Sequence, residues 1–181
     1  MLQKIGRNFA EKSFEIMKDD GKYKILFVCL GNICRSPSAQ AVMQHLIDER
    51  GQSDKYYLDS AGTYGGHAGS LPDPRMRQHA KLRGYDLTHR SRKVTGNDFE
   101  DFDLIVAMDN GNVRSLEGMA ATVEEARKIV MLGKWVRKYP HYDYVPDPYY
   151  EGSEGFELVM DLLEDACGNL LDEIEARRNR W

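Results

Sequence analysis

Two rhythms of apolar residues alternate along the chain. Lys24-Ile-Leu-Phe-Val-Cys29 and Leu104-Ile-Val-Ala-Met108 are continuous apolar runs of strand length, the pattern of central parallel strands covered on both faces. Tyr56 to Asp59 and Ile129 to Leu132 read as two further strands. Between them the spacing turns helical. Ala39, Val42, Met43, Leu46 and Ile47 share one face of a helix that Ser36-Pro37 opens as N-cap and first helical residue and Gly51 ends. Asp73 to Leu82 reads as a helix stopped at Arg83-Gly84, Asp109 as the N-cap of one running toward Glu117, and Glu124 to Lys128 as a short one. Phe156, Val159, Met160, Leu163, Ala166, Cys167, Leu170, Leu171 and Ile174 mark the stripe of a long final helix, preceded by an ordered loop, 138–152, rich in Pro, Tyr and Asp.

Strands alternating with helices predict an α/β fold: a doubly wound, four-stranded parallel sheet flanked by helices, in the flavodoxin-like order 2-1-3-4. Ligands of such sheets sit beyond the carboxyl ends of the strands, where Cys29 falls. With no internal repeat or linker, residues 23–181 read as one domain. Residues 1–22 read as a poorly ordered extension in which Phe9, Phe14, Ile16 and Met17 are the alternative core of a short helix, and Met17 is a second candidate start.

Composition narrows the classes. The 181 residues carry a net charge of −4, which offers no general attraction to nucleic acid or anionic membrane, so an anionic ligand must be caught locally. No apolar run is long enough to span a bilayer, and the N-terminus lacks a secretory pattern. Three cysteines, Cys29, Cys34 and Cys167, do not form a disulfide framework, and neither a CxxC pair nor HExxH suggests a metal. The expectation is a cytoplasmic protein with no cofactor.

The chemistry concentrates in Cys29-Leu-Gly-Asn-Ile-Cys-Arg-Ser36, a cysteine and an arginine separated by five residues between a strand and a helix. The spacing alone is weak evidence, and cysteine is often a small buried hydrophobe; the strand before and the helix start after are what raise it. A loop turning into a helix can aim successive backbone N–H groups of Leu30, Gly31, Asn32, Ile33 and Cys34 at an anion, with the helix N-terminus adding positive potential. Arg35 can grip two phosphate oxygens as a fork. Gly31 permits backbone that side chains resist, and Asn32 tolerates the left-handed region. The same field favours the thiolate of Cys29, which is placed for in-line attack on phosphorus to form a phosphocysteine, with Ser36 hydrogen-bonded to the sulfur. The candidate proton donor is Asp147, in Val145-Pro-Asp-Pro-Tyr-Tyr150. Partial desolvation by those aromatics favours the neutral acid, although Asp-Pro also suits an ordinary surface turn.

With both segments in view, the chain resembles the low-molecular-weight protein tyrosine phosphatases from about Lys22 to the final helix. Val28–Pro37 is similar to that family's signature, Ser60-Ala-Gly-Thr63 and Ile105–Asp109 to further blocks, and Asp147–Tyr150 to its acid loop. The resemblance implies Cys29 as nucleophile, Arg35 as phosphate clamp and Asp147 as general acid and then base. It implies Ser60 and His79 holding Asn32, Ser36 supporting the thiolate, Tyr149 and Tyr150 as one cleft wall, and Cys34 as the partner of a reversible disulfide with Cys29. The implied partners are phosphotyrosine proteins or small aryl phosphates, for a monomer or weak dimer. One departure stands out: in Thr63-Tyr-Gly-Gly-His67 a glycine occupies the place of an expected cleft aromatic, leaving Tyr64 or His67 to replace it.

Other functions compete. A phosphoarginine phosphatase branch is expected to carry threonine where this chain has Ile33. Arsenate reductase on this scaffold needs a cysteine relay, and Cys167 falls in a core stripe instead. A phosphate-binding module without catalysis would not need both Cys29 and Asp147, and metal-dependent hydrolysis has no ligand cluster.

Overall fold

The computed structural model describes residues 21–179; the helix or leader read between Phe9 and Met17, and the second candidate start, lie outside the described residues. Strand β1 (Tyr23–Cys29) pairs with β2 (Tyr56–Gly62) on one side and β3 (Leu104–Ala107) on the other, with β4 (Ile129–Met131) beyond β3. All pairings are parallel and the order is β2-β1-β3-β4, as the alternation of elements predicts.

The continuous apolar runs are explained by the two faces of this sheet. Ile25, Phe27, Leu104 and Val106 pack beneath helices α1 (Arg35–Glu49) and α6 (Ser153–Arg178), in a cluster with Val42, Met43, Phe156 and Leu163. The alternate residues Leu26, Val28, Ile105 and Ala107 face the other way, against Phe99, Phe102 and Leu116. Successive side chains point to opposite faces, so strands covered on both sides have no polar position to spare. Cys167 is fully buried in the first cluster, where burial pushes its thiol pKa up.

The remaining elements are α2 (Pro74–Leu82), α3 (Gly96–Asp101), α4 (Asn110–Met119), α5 (Val123–Arg127) and a 3-10 turn over Leu132–Trp135. Three differ from the sequence expectation. β2 runs on to Gly62 because Ser60, Ala61 and Gly62, too small to announce a strand, pair with Phe27, Val28 and Cys29. Helix α3 is too short to show periodicity; its end is held by the Asp98 carboxylate, which accepts the Thr95 N–H at 2.8 Å. Helix α1 begins at Arg35 with Cys34 in the N-cap position and no side-chain cap. Ser36 is therefore not the N-cap: its hydroxyl turns into the loop before the helix.

The loop from Lys138 is ordered by contacts at the sheet's carboxyl edge. Val145 is fully buried and its N–H donates to Met108 O at 2.8 Å. Upstream the chain crosses directly over Gly133, where any Cβ would lie 1.8 Å from the Asp143 carbonyl oxygen. Among the described residues no helix is long and apolar enough to cross a membrane.

Candidate active site

β1 ends at Cys29 and α1 starts at Arg35, so the five residues between them turn at the sheet's carboxyl edge. The turn hinges on Asn32, the one non-glycine residue among those described with positive φ, at 56°. A left-handed residue with a side chain costs about 1–2 kcal/mol. Four side-chain hydrogen bonds offset that cost. Asn32 Nδ2 donates to Ser36 Oγ (2.8 Å) and Ser60 Oγ (3.0 Å). Asn32 Oδ1 accepts from His89 Nε2 (3.0 Å) and the Arg92 N–H (3.0 Å). At about 0.5–1.5 kcal/mol net for each bond, the set outweighs the strain. The carbonyls of the loop are held as well: Cys29 O by the Thr63 N–H, Leu30 O by the Tyr64 N–H and Ile33 O by the Asp73 N–H, and Gly31 O by Ser91 Oγ at 3.0 Å. With no side chain capping α1, its first N–H groups are left to an anion in the loop.

The Cys29 sulfur lies 3.0 Å from Ser36 Oγ. Ser36 Oγ accepts from Asn32, and its other neighbour is Ala61 O at 3.4 Å, so its single hydrogen is best aimed at the sulfur. The Ser60 hydroxyl donates to Gln40 Oε1 at 2.7 Å. His89 must donate through Nε2, since Asn32 Oδ1 can only accept. Burial lowers the His89 pKa, Arg92 pushes the same way and Asp59 opposes both, which suits a neutral donor.

Arg35 is 2% exposed. One guanidinium nitrogen, Nη1, donates to Asp109 Oδ2 at 2.6 Å and to Val145 O at 3.1 Å. The other, Nη2, stands 3.4 Å from Asp147 Oδ2. Burial works against the charge, but Cys29, Asp109 and Asp147 outweigh it and the Arg35 pKa is raised. Asp109 does two jobs: Oδ1 caps α4 through the Asn112 N–H, and Oδ2 aims Arg35.

A cavity of about 200 Å³ opens above the loop, floored by Cys29, Ile33, Cys34 and Arg35 and walled by Tyr64, His67, Asp147, Tyr149 and Tyr150. Tyr149 and Tyr150 meet edge to face at 4.9 Å. Across from them the Tyr64 ring lies on Gly66: a Cβ there would come within 2.2 Å of its Cζ. His67 stands between, 6.2 Å from Tyr64 and 6.4 Å from Tyr149, centre to centre. Burial first, then Asp73 and Cys29, pushes the Cys34 thiol pKa up, and both loop cysteines are free thiols. Among the described residues no three His, Cys, Asp or Glu are gathered as metal ligands.

Two sequence expectations need correction. His79 does not hold Asn32. It lies on α2, with Nδ1 2.5 Å from Glu157 Oε1 and its ring stacked on Phe156; His89 occupies the supporting position. Gly31 does not adopt positive φ; what its missing side chain provides is room for His67, whose Cδ2 would lie 3.0 Å from a Cβ there. Sequence reasoning also missed Asp109 as the anchor of Arg35. Its place immediately beyond a buried parallel strand was a usable signal, whereas His89 sits in an aperiodic stretch with none.

Known proteins are similar to this chain in sequence and fold. The family model described as low molecular weight phosphotyrosine protein phosphatase matches residues 24–180. A protein of Synechocystis sp. whose name places it among the low molecular weight protein-tyrosine-phosphatases is 48% identical over 151 residues, covering 83% of this chain and 96% of its own. Among solved structures, a protein tyrosine phosphatase of Entamoeba histolytica with Hepes in its active site aligns with TM-score 0.83 and 44% identity, covering 87% of this chain and 99% of that one. A Drosophila arginine phosphatase aligns with TM-score 0.77 and 37% identity over 83% of this chain and 96% of its own. The chain belongs to the low molecular weight phosphotyrosine protein phosphatase family.

Proposed function

We propose that this chain hydrolyses phosphotyrosine in two steps. In the first, the Cys29 thiolate attacks phosphorus, the bond to the tyrosyl oxygen breaks, and Asp147 gives its proton to that oxygen. In the second, the Asp147 carboxylate takes a proton from water, the hydroxyl attacks phosphocysteine, and the thiolate leaves with inorganic phosphate formed. The loop N–H groups and Arg35 hold the three phosphoryl oxygens throughout. The Ser36 hydroxyl stabilises the sulfur as it leaves. The phosphoryl group takes Arg35 Nη2 from Asp147, which is then free to turn toward the ester oxygen.

The observation that carries this reading is the meeting of Cys29, Arg35 and Asp147 around one cavity with aromatic walls. Tyr64 and Tyr149 suit a flat aryl ester, and Ile33 adds an apolar floor. Phosphotyrosine proteins or small aryl phosphates are the substrates this favours. Likeness to an arginine phosphatase supports phosphoarginine as the second reading.

Hydrolysis of para-nitrophenyl phosphate should persist in excess EDTA and vanish in Cys29→Ser. Activity lost to EDTA but kept by the serine variant would refute the mechanism. kcat/KM on matched phosphotyrosine and phosphoarginine peptides should favour the former; a preference for phosphoarginine would install the second reading.

A further inference from the structure

Among the described residues, two arginines from outside the loop that carries Asp147 reach it between Val145 and Ser153, beside the packing of Tyr149 on the core and the His67 ring. One is Arg35, whose Nη2 faces Asp147 at 3.4 Å, a pairing that a phosphoryl group takes over. The other is Arg75, near the start of α2. Its Nε and Nη2 fork onto both oxygens of Asp73 at 3.0 and 2.9 Å. Nη2 also donates to Tyr149 O at 3.0 Å. The guanidinium carbon lies 4.8 Å from the Phe156 ring centre and 5.5 Å from that of Tyr149.

Asp73 is buried and belongs to the other half of the site, because its N–H holds Ile33 O in the phosphate loop at 2.8 Å. At the far end the Tyr149 N–H donates to Asp147 Oδ1 at 3.1 Å. A continuous path therefore runs from the phosphate loop through Asp73 and Arg75 to Tyr149 and Asp147. Its geometry is suited to placement: a forked, stacked guanidinium fixes direction as well as distance.

We propose that Arg75 is a positioning residue for proton transfer, pinning Tyr149 to the start of α2 so that Asp147 stays over the leaving oxygen once Arg35 has turned to the phosphate. This rests on the reading of Asp147 as general acid.

The test is kcat/KM across 2,4-dinitrophenyl, 4-nitrophenyl and phenyl phosphate, whose leaving groups need progressively more help from an acid. Asp147→Ala should lose about 10²–10⁴-fold on phenyl phosphate and far less on the dinitrophenyl ester. Arg75→Ala should follow the same slope more weakly, about 10-fold on phenyl phosphate and under about 2-fold on the dinitrophenyl ester. Arg75→Lys, which keeps the charge and loses the fork, should resemble it. The double variant Arg75→Ala/Asp147→Ala should be no slower than Asp147→Ala alone. Undiminished activity on the dinitrophenyl ester also reports that each variant is folded. An equal loss on all three esters, or no loss, would overturn the role of Arg75. A flat series for Asp147→Ala would instead overturn the general acid itself.

Discussion

The two halves of the site are built to opposite specifications. The phosphate loop is buried from Asn32 to Arg35, and Asn32 satisfies both ends of its amide with four partners drawn from α1, β2 and the 86–92 segment. The acid loop is open to water, with Tyr150 92% exposed, and much of its bonding is internal, as from the Glu151 N–H to Pro148 O at 2.9 Å. The contrast fits what each half is proposed to do. Stabilising a charge that develops on fixed oxygens requires dipoles already in place. A group that gives a proton and then takes one back must exchange partners, which suits a loop tethered at a few points and open to solvent between them.

The largest expected effect comes from breaking the rigid half. Asn32→Ala removes four hydrogen bonds and leaves a Cβ at φ 56°; kcat/KM should fall about 10²–10³-fold. The loss should be equal for dinitrophenyl and phenyl phosphate, because the anion seat serves both. Asn32→Gly relieves the backbone without restoring the bonds, and should recover only a small part. A loss that grew as the leaving group worsened would contradict the division between the halves.

A smaller effect is expected from disturbing the other half at a distance. Gly133→Ala drives a methyl into the Asp143 carbonyl and must displace the chain entering the acid loop. Stability should drop by about 1–3 kcal/mol in denaturant melts. Phenyl phosphate should be affected about 10-fold, with the dinitrophenyl ester nearly spared. Equal damage to both esters would mean that the displacement reaches the phosphate loop.

The smallest effects separate two histidines. His89→Ala should cost about 10-fold in kcat/KM through Asn32, at the scale of one charge-free hydrogen bond, whereas His79→Ala should leave turnover within about 2-fold. Because burial depresses the His89 pKa in the folded protein, the unfolded chain binds that proton more readily. The stability conferred by neutral His89 is therefore complete above about pH 6.5 and is lost as the pH falls below it. Melting temperatures at pH 7.5 and 5.5 should show a decline that His89→Gln reduces; an undiminished decline would remove His89 as its source.

Much of the fold could be read from sequence because a sheet covered on both faces leaves a plain signature: Ile25 and Leu26 are both apolar though they point opposite ways. That Cys29 and Arg35 meet at one cavity could be read because a single short loop carries both. The supports were harder. His79 and His89 are ten residues apart, each with basic side chains close by in sequence, and nothing local says which one folds back on Asn32. That choice is made by the pairing of β2 with β1, which brings Ser60 beside Phe27, and by the segment after α2 returning along β2, where Arg92 O accepts the Gly62 N–H. Ser36 misled for a related reason: a good capping residue was given a better use beside a sulfur.

The Tyr64 ring resting on Gly66 bears on how relatives of this enzyme are compared. By sequence resemblance alone, the chain has glycine where a cleft aromatic is expected. In space the ring has been supplied from two residues earlier, and the glycine is what makes room for it. Tyr64 and Gly66 thus act together: a bulky residue at 66 alone would displace the Tyr64 ring. Ligand preferences inferred from either position by itself would be misassigned.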